Sequence, residues 1–147
     1  MKTFHVGGLN PIRRFKTFKE ALAQAKDDDT IELHKNIIEA VTIDKNIIIK
    51  GNKNTWTTPS TQVAIIANTP IEIKDLTIKI PTRSIGLSIH NDALLEGLTL
   101  IQEGPIREFY PSAQLLGPNI KIFDSNLMGI KASEKTKLSV SNTTFSS

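Results

Sequence analysis

Five short stretches of this chain follow one template, in which an apolar residue begins and ends each segment and turn-compatible residues lie between them. They are residues 43–48, 73–78, 95–100, 122–127 and 140–145. Their starts lie 30, 22, 27 and 18 residues apart, near the roughly 20 to 30 residues that one coil of a β-solenoid uses. The repeat therefore predicts a chain that winds into stacked coils.

Each stretch is predicted to be two short strands joined by a tight corner, because the alternation of apolar residues is interrupted there by one extra residue. The corner position holds Lys45, Asp75, Gly97, Asp124 and Asn142. Glycine, asparagine and aspartate tolerate a left-handed backbone at least cost. We therefore predict a structural ladder of corner residues made by the last four.

The template also predicts which side chains face the core. The first residues of the stretches form one inward column, namely Ile43, Ile73, Leu95, Ile122 and Val140. The last residues form a second inward column, namely Ile48, Ile78, Leu100, Leu127 and Phe145.

Composition fits stacked strands within one domain. The 147 residues include 21 isoleucines against 13 leucines, and β-branched side chains suit strands that are buried on a narrow core. There is no cysteine, which excludes disulfides and thiolate metal sites. The three histidines, His5, His34 and His90, are scattered along the sequence, so no metal site and no cofactor are expected.

A helix is predicted between residues 16 and 26, ahead of the first coil. Thr17 precedes Glu20 by three residues, which is the spacing of a capping box. The apolar face of this helix comprises Phe15, Phe18, Leu22 and Ala25. Such a helix would cover the open end of the coil stack. We therefore divide the chain into an N-terminal segment with a capping helix, residues 1–29, and a β-helix, residues 30–147.

Residues 18–51, FKEALAQAKDDDTIELHKNIIEAVTIDKNIIIKG, contain a helix, an aspartate-rich turn, a first strand and a V-x-I-x-K-x-I-x-I-x-G run. In this order they resemble the opening of right-handed parallel β-helix proteins of the pectate-lyase-like superfamily. The resemblance implies an all-β right-handed parallel β-helix, here of about five coils. It also implies carbohydrate as the ligand class, since carbohydrate-active proteins dominate that superfamily.

Enzymes of this superfamily carry carboxylates that hold calcium, paired aspartates, or an aspartate pair with histidine and R-x-K. The sequence has no N-x-D followed by D-D, no G-H-G and no R-I-K. Asp75 and Asp124 occupy corners two coils apart, which separates them by roughly 10 Å. We therefore assign no catalytic residue, and a polysaccharide lyase or hydrolase, complete or degenerate, stays an alternative.

Positive charge is concentrated at the N-terminus, where residues 1–26 carry six lysines and arginines against Glu20 alone. Arg13, Arg14, Lys16 and Lys19 are candidate contacts for an anionic polymer, and the alternative is a solvated surface. Since aromatic residues do not interleave with these charges except at core positions, sequence-specific nucleic-acid binding is not expected.

Trp56 lies in the polar insertion 51–62 and is a candidate for stacking on a sugar ring. The alternative is that its ring folds back over the edge of the core.

Together these features predict a non-catalytic β-helix module for binding or assembly, with a polysaccharide or another polyanion as ligand. A third alternative is a structural segment of a larger surface or fibre protein. No segment approaches 18 apolar residues and no signal sequence is apparent, so no membrane partner is expected. The protein is expected to be cytoplasmic, or extracellular if the sequence lacks its signal.

The final coil, from Leu138 to Phe145, is followed only by two serines. An uncovered coil end exposes backbone groups and apolar side chains. We expect either a homodimer through the C-terminal coil or a continuation of the solenoid in a longer protein.

Overall fold

The computed structural model describes residues 1–81, 83–103 and 111–146. It contains one short helix and nineteen strands within this part of the chain. In chain order they are β1 (Thr3–Val6), β2 (Arg14–Phe15), α1 (Phe18–Gln24), β3 (Asp29–Leu33), β4 (Ile37–Ile38), β5 (Val41–Ile43), β6 (Ile47–Lys50), β7 (Thr55–Thr57), β8 (Val63–Ala67), β9 (Ile71–Lys74), β10 (Thr77–Ile80), β11 (Ile85–Ile89), β12 (Ala93–Glu96), β13 (Thr99–Gln102), β14 (Ala113–Leu115), β15 (Asn119–Phe123), β16 (Asn126–Met128), β17 (Ile130–Ala132), β18 (Lys137–Ser141) and β19 (Thr144–Ser146).

The strands form three parallel sheets that enclose a single core. Sheet A has the order β18-β15-β12-β9-β6-β3-β1-β2, sheet B the order β19-β16-β13-β10-β7-β4, and sheet C the order β17-β14-β11-β8-β5. Each of the five full coils from β3 to β17 gives one strand to each sheet, so the chain is a parallel β-helix of about five coils. The predicted fold class is confirmed, although the sequence template had suggested two strands per coil and had missed sheet C.

The register of sheet A confirms most of the first inward column. Ile73 pairs with Leu95, Leu95 with Ile122, and Ile122 with Val140. On the other side Ile73 pairs with Ile49, so Ile49 holds the place that the template had given to Ile43. The prediction for Ile43 is wrong, because this residue belongs to sheet C, where it pairs with Ala67.

The second inward column lies in sheet B. Ile78 pairs with Leu100, and Leu127 pairs with Phe145, as the template predicts. Ile78 also pairs with Trp56, so Trp56 takes the place predicted for Ile48. The prediction for Ile48 is wrong, because Ile48 pairs with Glu72 on the outward face of sheet A.

The template failed in this coil because its corner is longer than the others. Between β6 and β7 the chain turns over residues 51–54, whereas β9 and β10 are joined by Asp75 and Leu76 alone. Asn52 and Lys53 carry the left-handed backbone there, with φ values of 51° and 63°. The template instead matched residues 43–48, which span the corner between β5 and β6, and therefore assigned the outward Ile48 to the core.

Helix α1 begins at the predicted cap. The Thr17 side chain accepts a hydrogen bond from the backbone N–H of Glu20 at 3.1 Å, and its hydroxyl donates to the Glu20 carboxylate at 3.0 Å. Phe18 and Ala21 are buried, and the ring of Phe18 lies 4.8 Å from that of Trp56. Within residues 1–29, β1 and β2 join sheet A, which the sequence analysis did not predict.

Candidate functional site

A groove of about 650 Å³ runs across the outward face of sheet A. Its floor takes one outward side chain from each of five successive strands, namely Ile48, Glu72, Leu94, Lys121 and Ser139. Its rim lies where the chain enters the same strands and includes Asp28, Asn46, Pro70, Asp92, Asn119 and Lys137. Since adjacent strands are about 4.8 Å apart, the floor is roughly 19 Å long.

The groove follows directly from the alternation along each strand. In β9 the side chains of Ile71 and Ile73 are buried and that of Glu72 faces out. The same pattern in β12 leaves Leu94 on the outside between two buried residues. Because the register is parallel and unbroken, these outward positions line up along the axis of the helix.

Part of the rim is fixed by hydrogen bonds between neighbouring coils. The Asp92 carboxylate accepts from the backbone N–H of Asn119 at 3.1 Å. Asp28 has a φ of 71°, and its backbone N–H donates to the carbonyl of Asn46 at 2.6 Å. These bonds make the rim part of the rigid stack, so a ligand would meet preformed walls.

The side chains of the groove suit an uncharged, hydroxyl-rich ligand better than a polyanion. Asp28, Glu72 and Asp92 contribute three negative charges, against two positive charges from Lys121 and Lys137. Carboxylates accept and ammonium groups donate hydrogen bonds, so both can bind hydroxyl groups. The aliphatic side chains on the floor can pack on C–H surfaces.

The predicted basic residues do not line this groove. The Arg13 Nε donates to the carbonyl of Thr3 at 2.9 Å, and an Arg14 guanidinium N–H donates to that of Gly8 at 3.3 Å. Lys16 and Lys19 are exposed. Each arginine therefore uses one of its guanidinium N–H groups to bind the backbone of the N-terminal segment.

Trp56 is fully buried, which contradicts the sugar-stacking candidate and agrees with the alternative that its ring folds back onto the core. Its indole N–H donates to the carbonyl of Glu39 at 2.8 Å, and its ring packs against Phe18. The polar insertion around it left both possibilities open in the sequence. The strand β7 nevertheless points this one side chain into the core.

The corner ladder has the backbone conformation that its residue types favour. The φ values are 50° at Asp75, 64° at Gly97, 53° at Asp124 and 44° at Asn142. The Asn142 amide donates to the Asp124 carboxylate at 2.6 Å, which joins the last two rungs. These residues therefore have a structural role, since each allows the left-handed backbone at its corner.

Lys45 lies at the corner between β5 and β6, which joins sheet C to sheet A, and not in the ladder; its ammonium group caps the C-terminus of α1. It donates to the carbonyl of Leu22 at 2.6 Å and to that of Ala25 at 2.7 Å. At the other end of the helix, the Glu39 carboxylate accepts from the backbone N–H groups of Phe18 at 2.8 Å and Lys19 at 3.0 Å. The positive charge of Lys45 and the negative charge of Glu39 both complement the helix dipole. Neither contact with the helix could be found from local sequence patterns.

Two of the three histidines, which the sequence analysis treated as scattered, lie side by side. His5 and His34 are brought together by the pairing of β1 with β3, and Glu32 lies beside them. The sequence offered no signal for this cluster, because it depends on which strands are neighbours.

No family model, no curated protein and no solved structure significantly matches this chain. Within the described residues, no helix is both long enough and apolar enough to cross a membrane.

Proposed function

We propose that this chain is a non-catalytic binding module that takes a segment of uncharged polysaccharide along the groove of sheet A. The observation that carries the proposal is the groove itself, which combines a continuous floor over five strands with mixed hydrogen-bonding and aliphatic side chains. A linear polymer can follow such a floor from coil to coil. The slight excess of carboxylates disfavours a polyanion there.

We also propose that this chain is a member of the pectate-lyase-like superfamily. The similarity of residues 18–51 to the opening of those proteins supports it, as does a parallel β-helix preceded by a short helix. Carbohydrate as the ligand class then follows by analogy, because fold alone does not fix function.

Binding can be tested with a glycan array that carries neutral and anionic polysaccharides. Glu72→Ala should weaken binding to the recognised glycan at least about tenfold, since a hydrogen bond to a charged group contributes about 1.5–3 kcal/mol. Glu96→Ala is the matched control, because Glu96 is also a half-buried outward residue of sheet A but lies outside the groove. Equal affinity of the two variants, or no glycan bound by the wild type, would contradict the proposal.

The absence of catalysis is tested on the same glycans. Asp75→Asn and Asp124→Asn should leave glycan binding unchanged, because asparagine fits the same left-handed corner. Turnover of polygalacturonate or of the bound glycan by the wild type, lost in either variant, would make the protein an enzyme instead.

The basic N-terminal residues offer a separate test of ligand charge. We expect wild type and an Arg13→Ala, Arg14→Ala double variant to elute together from a heparin column, because neither arginine lies in the groove. Steeply salt-dependent retention that the double variant loses would move the binding site to this segment.

We also propose that two C-terminal coils associate end to end. Leu138, Val140 and Phe145 continue apolar columns of the core but are 36%, 40% and 49% exposed. β18 and β19 lie at the ends of the strand orders of sheets A and B. Twofold pairing of these strands would satisfy their free backbone groups and cover the three side chains.

Sedimentation at micromolar concentration tests this association independently of any ligand. A dimer that Val140→Asp converts into a folded monomer supports the proposal. A wild-type monomer at all concentrations contradicts it.

A further inference from the structure

His5, Glu32 and His34 form a compact cluster on the outward face of sheet A, near its N-terminal edge. His5 on β1 pairs directly with Glu32 on β3, and His34 follows β3 by one residue. The Nδ1 atom of His5 lies 2.9 Å from Nε2 of His34, which in turn lies 3.7 Å from Oε1 of Glu32. One ligand atom from each residue lies within 4.8 Å of the other two.

Two of the three separations are close to those that a small metal ion requires. Bonds of about 2.0–2.2 Å to nitrogen and oxygen in a tetrahedral site place neighbouring ligand atoms roughly 3.3 Å apart. The short imidazole contact lies just below this value, and the contact of His34 with Glu32 lies just above it. The remaining separation, between His5 and Glu32, is at most 4.8 Å, so side-chain rotations that shorten it would place all three atoms around one ion.

The backbone holds two of the three side chains firmly. Glu32 sits inside a paired strand, and its carboxylate also accepts from the Asn52 amide at 3.2 Å. The His34 ring lies against Gly8, whose φ is +78° and at which an added Cβ would lie 2.9 Å from the ring. Ligands held within or directly beside paired strands lose little freedom when they bind an ion.

The donor set points to a particular class of metal. Two imidazoles and one carboxylate suit zinc and its neighbours in the Irving–Williams order, whereas calcium and magnesium prefer oxygen donors alone. The side chains of His34 and Glu32 remain 31% and 25% exposed, which leaves room for water as a further ligand. Arg14 and Lys50 pair with His5 and Glu32 on the neighbouring strands, and their positive charges oppose tight binding.

We propose that His5, Glu32 and His34 bind one divalent transition-metal ion of the zinc class, with solvent completing its coordination. The ion would replace the hydrogen bond between the two imidazoles. It would also link β1 to β3 and so fasten the first strand of sheet A to the stack. This site does not line the groove, and it does not depend on the proposed glycan binding.

The side-chain amide of Asn10 contacts His5 and allows a further test of the proposal. Its side-chain oxygen accepts from the backbone N–H of Ile12 at 2.9 Å, so its amide nitrogen faces Nε2 of His5 at 3.2 Å. This arrangement favours a proton on Nδ1 of His5, the atom that would bind the ion. A carboxylate at position 10 would accept from both N–H groups and favour the tautomer that binds metal.

The test is calorimetric titration of the full chain with zinc chloride at about pH 7.5, where free imidazole is mostly neutral. We expect one ion per chain. His5→Ala and His34→Ala should each weaken binding at least about tenfold, since even outer-shell changes cost about 10–100-fold. His90→Ala is the control, because His90 hydrogen-bonds to Ser88 elsewhere and should leave zinc affinity unchanged.

Asn10→Asp is expected to tighten zinc binding about tenfold or more. A second readout is the absorption spectrum of the cobalt-loaded chain, whose visible bands report coordination by these ligands. Circular dichroism checks that each variant is folded. Absence of zinc binding by the wild type, or zinc binding that survives both histidine substitutions, overturns the proposal. An unchanged or weaker affinity of Asn10→Asp overturns the tautomer argument.

Discussion

The register of the second coil can be tested at two adjacent residues, Ile48 and Ile49. In the structure Ile49 is fully buried in the inward column of sheet A, and Ile48 faces outward onto the groove floor. The repeat template predicts the opposite for Ile48. Because side chains alternate along a strand, a shift of one residue would exchange the two environments.

Threonine is the most informative substitution, since it keeps the β-branched shape and the preference for strands. Ile49→Thr replaces an ethyl group by a hydroxyl inside the core. The two lost carbons cost about 1.6 kcal/mol, at about 0.8 kcal/mol per buried CH₂. A buried hydroxyl without a partner costs a further 1–3 kcal/mol or so. We expect a total loss of about 2.6–4.6 kcal/mol in the free energy of unfolding.

Ile48→Thr should cost less than about 1 kcal/mol, because the new hydroxyl is open to solvent. Urea unfolding measures both variants, with fluorescence of the single, buried Trp56 as the probe. For a slope of about 2 kcal/mol per molar urea, the midpoint of Ile49→Thr should fall by roughly 1.3–2.3 M. Equal midpoints, or a larger loss for Ile48→Thr, would show that the register of this coil is wrong.

Three further outcomes follow from other contacts. Lys45→Met should destabilise the fold by about 1–2 kcal/mol in the same urea assay, since it removes the cation that caps α1; no change would mean that solvent already caps the helix. Asp29 is buried, which disfavours its charge, but the backbone N–H groups of Lys26 and Lys2 and nearby positive charges outweigh this and lower its pKa below 3.8. The contribution of its carboxylate to the free energy of unfolding is therefore complete above pH 3.8 and is lost as pH falls through the lowered pKa. In urea unfolding below pH 3.8, Asp29→Asn should therefore lose less stability with falling pH than the wild type. Asp75→Val should cost about 1–2 kcal/mol at its positive φ, whereas Asp75→Asn should be nearly neutral in thermal melts; equal costs would contradict the corner argument.

Local features of this fold were readable from the sequence, because they depend on a few neighbouring residues. The capping box of Thr17 and Glu20 specifies where α1 begins. The short corners at Asp75, Gly97 and Asp124 need residues that accept a left-handed backbone. Alternation around them assigned Ile73, Leu95 and Ile122 to one column, because each strand has a period of two residues.

The candidate groove was not predicted, although its floor residues are ordinary outward positions of the same strands. Glu72 and Lys121 look like solvent-facing residues in the sequence. They become part of one surface only because strands about 22 to 27 residues apart are stacked in register.

The sequence by itself determined the repeating coil, its short corners and the start of its helix, since these follow from local backbone preferences and alternation. The tertiary structure alone decided the third sheet, the inward position of Trp56 and the meeting of Lys45 with α1. It also decided that His5 lies beside His34, 29 residues further along the chain. The physical reason is that each of these depends on which strand lies in the next coil, and loop lengths that vary between coils set that pairing.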